Sequence, residues 1–475
     1  MTVATAVAPL ARRADAPLAA QLAQRVAERI AQRLLPPGAR LPSVREGARR
    51  HGVSPSTVVG AYDLLQAQGL VEARPQRGFF VREPVLRRAA VADPEAAAPA
   101  TPRPAPVDAT ALIRSMFHHP ALPSPGLGTL PEDWLDAALL QRALRHATAG
   151  AAGRGWLRYG DPAGDPALRG ALAQRLADLG VDAAPAQILT TLGATHGLDI
   201  VARTLLQPGD AVLVDEPGWA VEYERLTRMG MRLLPVPRGP AGPDLATMRE
   251  LLATHRPRLY VTVSVLHNPT GCSLTPAAAH QVLRLAEAHD LTIVEDDSYA
   301  FFAPPHATRL SALDGLRRTV LVSGFSKILA PQWRVGFVAA APALAERLVD
   351  SKLLSTLTTP APFERAVAWC LEQGALRRHA ERIVQRLAEA RGRSHCHALD
   401  AGCRFVTPPQ GLFGWVDTGT DTDQLARAMA DEGWLLAPGS LFHATGRPST
   451  LMRLNFATTR DGAFWRAWRP SLGHS

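Results

Sequence analysis

Lysine is almost missing from this chain. Of 52 basic residues only Lys327 and Lys352 are lysine, and the rest are arginine. Chemistry that needs a side-chain primary amine is therefore confined to two positions. Cysteine is scarce as well. Cys272, Cys370, Cys396 and Cys403 form no Cys-x-x-Cys pair, which argues against a zinc ribbon or a disulfide scaffold and points to a reduced, cytoplasmic protein. His395-Cys396-His397 lacks a second ligand cluster, so no metal site is expected. No run of about 18 apolar residues occurs, so no membrane-spanning helix is expected. Arg12 and Arg13 follow the apolar start instead of preceding it, which speaks against a signal peptide.

What is present is unevenly spread. The 475 residues leave room for about three or four domains or subdomains. The formal net charge is +9, yet residues 1–88 alone hold fourteen arginines and six acids, a balance of +8. A small basic unit beside a nearly neutral large one is the charge pattern of a nucleic-acid-binding module. Between them, residues 84–109 are rich in Pro and Ala and have no aromatics or apolar period, as a semi-extended tether would. The expected domains are thus 14–83, the linker 84–109, and 110–475.

The first unit reads as three helices and a strand pair. Leu18, Leu22, Val26, Ile30 and Leu34 recur every four residues, and Pro36-Pro37-Gly38 stops that helix. Ser43 with Glu46 three residues on predicts a capping box for a short second helix ending near Gly52. Ser54 is placed to cap a third helix with Pro55 in its first position, ending near Gly69. Residues 70–74 and 79–82 read as strands around Pro75-Gln76-Arg77-Gly78. Two short helices joined by a tight turn make a helix-turn-helix, and the strand pair makes a wing. The second helix of such a motif enters the major groove of DNA by its N-terminal end, which here offers Ser54, Ser56 and Thr57. Arg45 and Arg49 share one face of the preceding helix, and Arg77 sits at the wing tip; all six are candidate DNA contacts.

The second unit alternates short β-branched runs (Ala211–Val214, Leu259–Ser264, Leu291–Glu295 and Thr319–Val322) with amphipathic stretches such as Pro276–His289. That is the pattern of a mostly parallel α/β sheet covered by helices. Its candidate chemistry sits where those runs end. Ser326-Lys327 follows one strand, and Arg334 lies seven residues on: a lysine there can form an imine with an aldehyde cofactor, and an arginine can hold a phosphate. Lys352 lies in a helical surface pattern and is expected to be solvated. Asp296 is placed to keep a pyridine nitrogen protonated, Tyr299 and Asn268 to reach a ring oxygen, and Trp219 to stack on a ring face. Ala194 and Thr195 open a helix whose free amides can take a phosphate. Each string alone is more often a turn than a site; their order and spacing together are specific.

The run Leu41-Pro42-Ser43-Val44-Arg45, Val53-Ser54-Pro55-Ser56-Thr57-Val58, Ala61-Tyr62 and Gly69 resembles the GntR family of bacterial regulators. Pro55 stands where many members carry Arg, which removes one side chain from base readout. Residues 110–475 resemble the fold-type I aminotransferases, which use pyridoxal 5′-phosphate. That likeness implies an α/β domain with a smaller C-terminal α+β subdomain, Lys327 as the imine-forming lysine, Asp296 as partner of the pyridine nitrogen, and Arg334 on the phosphate. It further implies Arg453 on a substrate α-carboxylate and Tyr159 reaching a phosphate across a dimer interface. Relatives have a hydroxyl residue three places before the lysine; here that residue is Gly324, with Ser323 one place too early. The whole resembles the MocR subfamily, which implies a homodimer whose DNA affinity changes with pyridoxal phosphate or an amino compound. A working aminotransferase with an incidental DNA-binding module, and a DNA-binding protein with an empty large domain, are the alternatives.

Overall fold

The structure, a computed structural model, describes residues 17–31, 34–74, 77–82, 124–149 and 157–471, together with Thr110 and Arg114. The expected linker 84–109, residues 14–16 and the wing residues Pro75 and Gln76 lie outside the described residues. Contacts divide the chain into two compact units, residues 1–124 with 423–435 and residues 125–422 with 436–475.

In the first unit, helices Leu18–Ala31, Val44–His51 and Pro55–Ala67 precede β1 (Val71–Arg74) and β2 (Gly78–Val81), which pair antiparallel with Val71 opposite Val81. The first helix ends before Leu34, so its apolar face is made by Leu22, Ala23 and Val26. Ser43 caps the second helix by accepting from Glu46 N at 3.3 Å. No return bond to the Glu46 carboxylate forms among the described residues, so only half of the expected box is made. Gly52 closes that helix in the left-handed region. Val58, Ala61, Tyr62 and Leu65 of the third helix bury against Leu22, Leu41, Val71 and Val81. Each buried Val or Leu among them contributes roughly 1.5–3 kcal/mol of hydrophobic stabilisation. The Tyr62 hydroxyl donates to Pro42 O at 2.9 Å, so the one polar atom in this core is paired.

The second unit is built on an eight-stranded sheet of β3 (Ile188–Thr191), β4 (Ala211–Glu216), β5 (Arg232–Gly239), β6 (Gly242–Pro243), β7 (Leu259–Thr262), β8 (Thr292–Asp296), β9 (Thr319–Gly324) and β10 (Gly336–Ala339). The order is β3-β10-β9-β8-β7-β4-β5-β6, with β5-β4-β7-β8-β9 parallel and β10 antiparallel to both its neighbours. Strand alternation explains why helices cover both faces. Val212 and Val214 join Leu259, Val261 and Val294 under helices Ala194–Leu205 and Ala220–Arg228. Their neighbours Ala211 and Leu213 join Tyr260 and Ile293 under helices Leu245–His255 and Pro276–Ala288. A further core gathers Phe325 and Phe337 with helices Ala137–Thr148, Pro166–Asp178, Ala361–Glu372 and Ala375–Asp400. The chain closes on a smaller antiparallel sheet of β11 (Arg404–Phe405), β12 (Phe413–Asp417), β13 (Ala437–Pro438) and β14 (Leu451–Asn455), ordered β11-β12-β14-β13.

One expectation fails here. Lys352, read as a solvated residue of a surface helix, is fully buried. Its amine donates to Thr190 Oγ1 and Thr359 Oγ1, both at 3.3 Å, and Thr359 in turn donates to buried Glu364. The helix Pro342–Thr356 packs this face inward, and its polar lysine passes for a surface residue because Thr190, one of its two partners, is 162 residues away and Thr359 lies beyond the helix end. Burial lowers the amine's pKa to about 8.

Candidate functional site

The parallel strands β3, β4, β7, β8 and β9 deliver their following residues to one end of the sheet, the end at which open α/β sheets bind ligands. Asp296 ends β8, Ser326-Lys327 follows β9, Gly193-Ala194 follows β3, Trp219 follows β4, and His267-Asn268 follows β7. Trp219, Glu222, Asn268 and Asp296 line a common pocket together with Asp215, Thr262 and His267.

The polar groups around this pocket are fixed from behind. Asp215 accepts from Tyr260 OH at 2.5 Å, Thr262 Oγ1 at 2.7 Å and Arg238 Nη1 at 2.9 Å, all buried. His267 Nδ1 lies 2.9 Å from Thr270 Oγ1. Burial and the nearby Arg238 charge hold His267 well below its usual pKa, so the ring is neutral and structural. This network holds the turn that carries Asn268. Asp296 Oδ1 accepts from Ser298 N at 3.0 Å and from the Ser298 hydroxyl. Burial raises the Asp296 carboxyl to about 6, against the lowering effect of those bonds. Tyr299 is buried, with its ring edge-on to Phe413 at 5.1 Å.

The Lys327 amine has no hydrogen-bond partner among the described residues. Burial first, and then the Arg453 charge, lower its pKa to about 8, so a reactive neutral amine is accessible near physiological pH. Arg334 reaches back from the turn after residues 331–333, donating to Ser326 Oγ at 2.8 Å and Leu192 O at 3.0 Å. Its neighbour across the cleft is Gly193 at φ +79°, immediately before the helix Ala194–Leu205. Ala194 and Thr195 form the first turn of that helix, and their amides lack intrahelical acceptors. Ser323 points away and donates to Asp297 O at 2.9 Å. Gly324 therefore leaves the expected hydroxyl position bare.

Arg453, on β14, is buried against the rings of Phe413 and Phe442, whose centroids lie 4.5 and 4.9 Å from the guanidinium carbon. It donates to Asn268 Oδ1 at 2.6 Å and to Gly126 O, while its buried Nε has no partner. Tyr159 is not brought to this cluster: it is 81% exposed. Sequence reading missed Glu222, Asp215, Asn455 and the segment Pro125–Thr129. Glu222 had a signal in its spacing, three residues after Trp219 at a helix start. Asn455 had one too, since residues two apart on a strand share a face with each other, here with Arg453.

In the first unit, Arg45, Arg49, Ser54, Ser56 and Arg77 are exposed and Thr57 half-buried. Ser54 Oγ accepts from Thr57 N and lies 2.8 Å from the hydroxyls of both Ser56 and Thr57. Ser54 has one proton to donate, so at least one of the Ser56 and Thr57 hydroxyls donates to Ser54 and the three form one hydroxyl cluster at the helix start.

The sequence pattern of the bacterial regulatory proteins of the gntR family matches residues 18–81, and that of aminotransferase class I and II matches residues 127–464. The uncharacterized HTH-type transcriptional regulator YdcR of Escherichia coli is 30% identical over 432 residues, 89% of this chain and 91% of that protein. The probable rhizopine catabolism regulatory protein MocR of Rhizobium meliloti is 32% identical over 352 residues, 71% of this chain and 68% of that protein. The chain belongs to the MocR-type transcriptional regulators. Among solved structures, LysN, an alpha-aminoadipate aminotransferase from Thermus thermophilus complexed with N-(5′-phosphopyridoxyl)-L-leucine, is similar with a TM-score of 0.69. It shares 26% identity and covers 76% of this chain and 95% of its own.

As a MocR-type regulator, the chain joins a DNA-binding helix-turn-helix to an aminotransferase-like domain whose cofactor is pyridoxal 5′-phosphate. The residues present fit that cofactor. The Lys327 amine is buried 6.0 Å from the Tyr299 ring centroid, Arg453 Nε is an orphan, and a Cβ at Gly193 would stand 2.4 Å from the Arg334 guanidinium. The last observation marks a cradle that only glycine leaves open. Among the described residues no cluster of His, Cys, Asp or Glu could hold a metal ion, and no helix is long and apolar enough to cross a membrane.

Proposed function

We propose that this protein is a transcription regulator that binds DNA through residues 14–83 and senses pyridoxal phosphate, or an amino compound reacting with it, through Lys327 in residues 110–475, with 84–109 as the tether. The observation that carries this reading is the unpaired Lys327 amine. It stands in a cluster with Asp296 and Asn268, in a chain that also holds a charged, capped helix-turn-helix. When bound, the cofactor supplies an aldehyde carbon for amines and a ring that withdraws electrons. Lys327 holds it covalently. Asp296, whose pKa rises to about 6 by burial, keeps a proton on the ring nitrogen. Trp219 would stack on the ring, and the Asn268 and Tyr299 side chains would hold the ring oxygen. Arg334, Ser326 and the amides of Ala194 and Thr195 take the phosphate. Arg453 takes the carboxylate of an amino ligand. The exposure of Tyr159 supports a role in the site of a second copy in a homodimer.

Arg45, Arg49 and Arg77 contact DNA phosphates, while Ser56 and Thr57 face the groove with Ser54 as their cap. Ligand binding favours one arrangement of the two modules, and DNA favours one as well, which links the two events. The test is the affinity of the full-length protein for genomic DNA fragments from its own upstream region, with and without pyridoxal phosphate and a panel of amino acids. An affinity indifferent to every ligand overturns the sensor reading. Intact Lys327, Asp296 and Arg453 also favour residual amino-group transfer to 2-oxo acids. Multiple turnovers with a keto-acid product would support that second reading.

A further inference from the structure

The Arg453 guanidinium carbon lies over two aromatic rings, 4.5 Å from the Phe413 centroid and 4.9 Å from that of Phe442, so a carboxylate meets it at an N–H edge. That edge has two prongs, Nε and Nη2, spaced to meet both oxygens of one carboxylate. In this structure the prongs are unequal. Nη2 is engaged by the Gly126 carbonyl, while Nε is buried without a partner. A neutral carbonyl therefore engages one nitrogen of a group suited to an anion, and the neighbouring Nε is left unsatisfied.

Gly126 belongs to a short segment at the start of the second unit. A Cβ at Gly126 would stand 2.4 Å from Leu436 C and 2.6 Å from Ala437 N, so only glycine can seat there. Two residues on, a Cβ at Gly128 would stand 3.1 Å from the Tyr299 hydroxyl and 3.7 Å from Lys327 Nζ. The segment thus crosses directly over the reactive amine. Its far end is tied down by Asn455, which is fully buried and lies on the Arg453 face of β14. Asn455 Nδ2 donates to Leu127 O and Thr129 O, both at 2.8 Å, and its Oδ1 accepts from Ala457 N at 3.0 Å, which fixes the amide's orientation.

We infer that Pro125–Thr129 is a displaceable strap: Gly126 O holds the place of a ligand carboxylate on Arg453, an incoming carboxylate exchanges with it, and Asn455 is the positioning residue that keeps the rest of the strap pinned. The exchange replaces one bond from the guanidinium to a neutral carbonyl by two to an anion and satisfies the orphan Nε, so it runs toward the ligand. Pinning at Leu127 and Thr129 directs the movement to Pro125 and Gly126. In sequence, the chain N-terminal to Pro125 continues to the DNA-binding module. This rests on reading Arg453 as the ligand's carboxylate partner.

The test uses the full-length protein loaded with pyridoxal phosphate, and maleate as an unreactive carboxylate. Hydroxyl-radical footprinting should show oxidation of Pro125 rising at least about twofold with maleate while that of Leu127, pinned by Asn455, stays unchanged, as expected when one hydrogen-bonded contact is traded away. Gly126→Ala, unable to seat, should bind maleate about tenfold more tightly in a visible-absorbance titration, since its competitor on Arg453 is gone. Asn455→Ala should lose the maleate-dependent change in the Pro125 footprint. A wild-type footprint unchanged by saturating maleate overturns the strap, even where Gly126→Ala fails to fold. DNA affinity that responds to maleate with an unchanged footprint also overturns it while sparing the regulator reading. A footprint that opens with no change in DNA affinity supports the exchange and counts against that reading.

Discussion

The Arg334 guanidinium lies directly over the Cα of Gly193, close enough that a methyl group there would stand 2.4 Å from Nη2. Gly193 also has φ +79°, a conformation that costs an L side chain of its own accord. Gly193→Ala is therefore expected to displace Arg334 from Ser326 and Leu192 and to weaken cofactor binding by about tenfold or more, the loss of one charge-assisted bond. Equilibrium titration with pyridoxal phosphate measures it. An unchanged dissociation constant would place the phosphate elsewhere.

Lys327 should set the pH dependence of cofactor capture. Burial and Arg453 lower its pKa to about 8, and the neutral amine is the nucleophile. Below pH 8 the neutral fraction rises about tenfold per pH unit, so the rate of covalent uptake by the cofactor-free protein should climb with that slope and flatten above pH 8. Stopped-flow absorbance measures the rate. Lys327→Ala should show no visible chromophore and no borohydride-fixed mass adduct, yet still bind DNA. An adduct on Lys352 in that variant would contradict the assignment.

Lys352 is expected to matter for stability and not for capture. Its burial beside Thr190, Thr359 and Glu364 means that Lys352→Ala leaves a buried carboxylate without its nearby cation, costing about 2–4 kcal/mol. Lys352→Arg should also destabilise, because a planar guanidinium does not fit where a compact ammonium meets two hydroxyls. The folded pKa of about 8 lies below the ordinary 10.5. Between those values the unfolded chain binds the extra proton, so wild-type stability relative to Lys352→Met should rise with pH across that window. Thermal melts of both proteins from pH 7 to 10.5 measure this.

The two lysines show what a sequence makes legible. Lys327 could be found because it stands at a strand end among other strand-end signals, and the strand ends of a parallel sheet converge. The helix boundaries at Gly52 and Pro55 were legible because capping is local chemistry over three or four residues. Lys352 was misread because its burial depends on Thr190 and Thr359, and helical spacing does not encode a partner 162 residues away. The Gly126–Arg453 contact, 327 residues apart, was invisible for the same reason. Gly-Leu-Gly in a Pro-rich stretch reads as a turn until the fold lays it over a reactive amine. Tyr159 is a different case: its expected role needs a second copy, and nothing within one chain gives it a partner in the site.

DNA binding should weaken steeply with salt. Arg45, Arg49 and Arg77 are exposed on the helix-turn-helix and wing, and each phosphate they neutralise releases counterions. Replacing any one with Ala should flatten the slope of log affinity against log salt by about 0.9 for each phosphate no longer neutralised, nearly independently of DNA sequence. Ser56→Ala should behave differently. Its hydroxyl lies at the N-terminal end of the helix facing the groove, so its removal should change the preference among operators while leaving the salt slope intact. Fluorescence anisotropy at four salt concentrations separates the two. A salt slope that is flat for the wild type, or unchanged when Arg45 and Arg49 are both removed, would mean that the charge excess of this module serves something other than the DNA backbone.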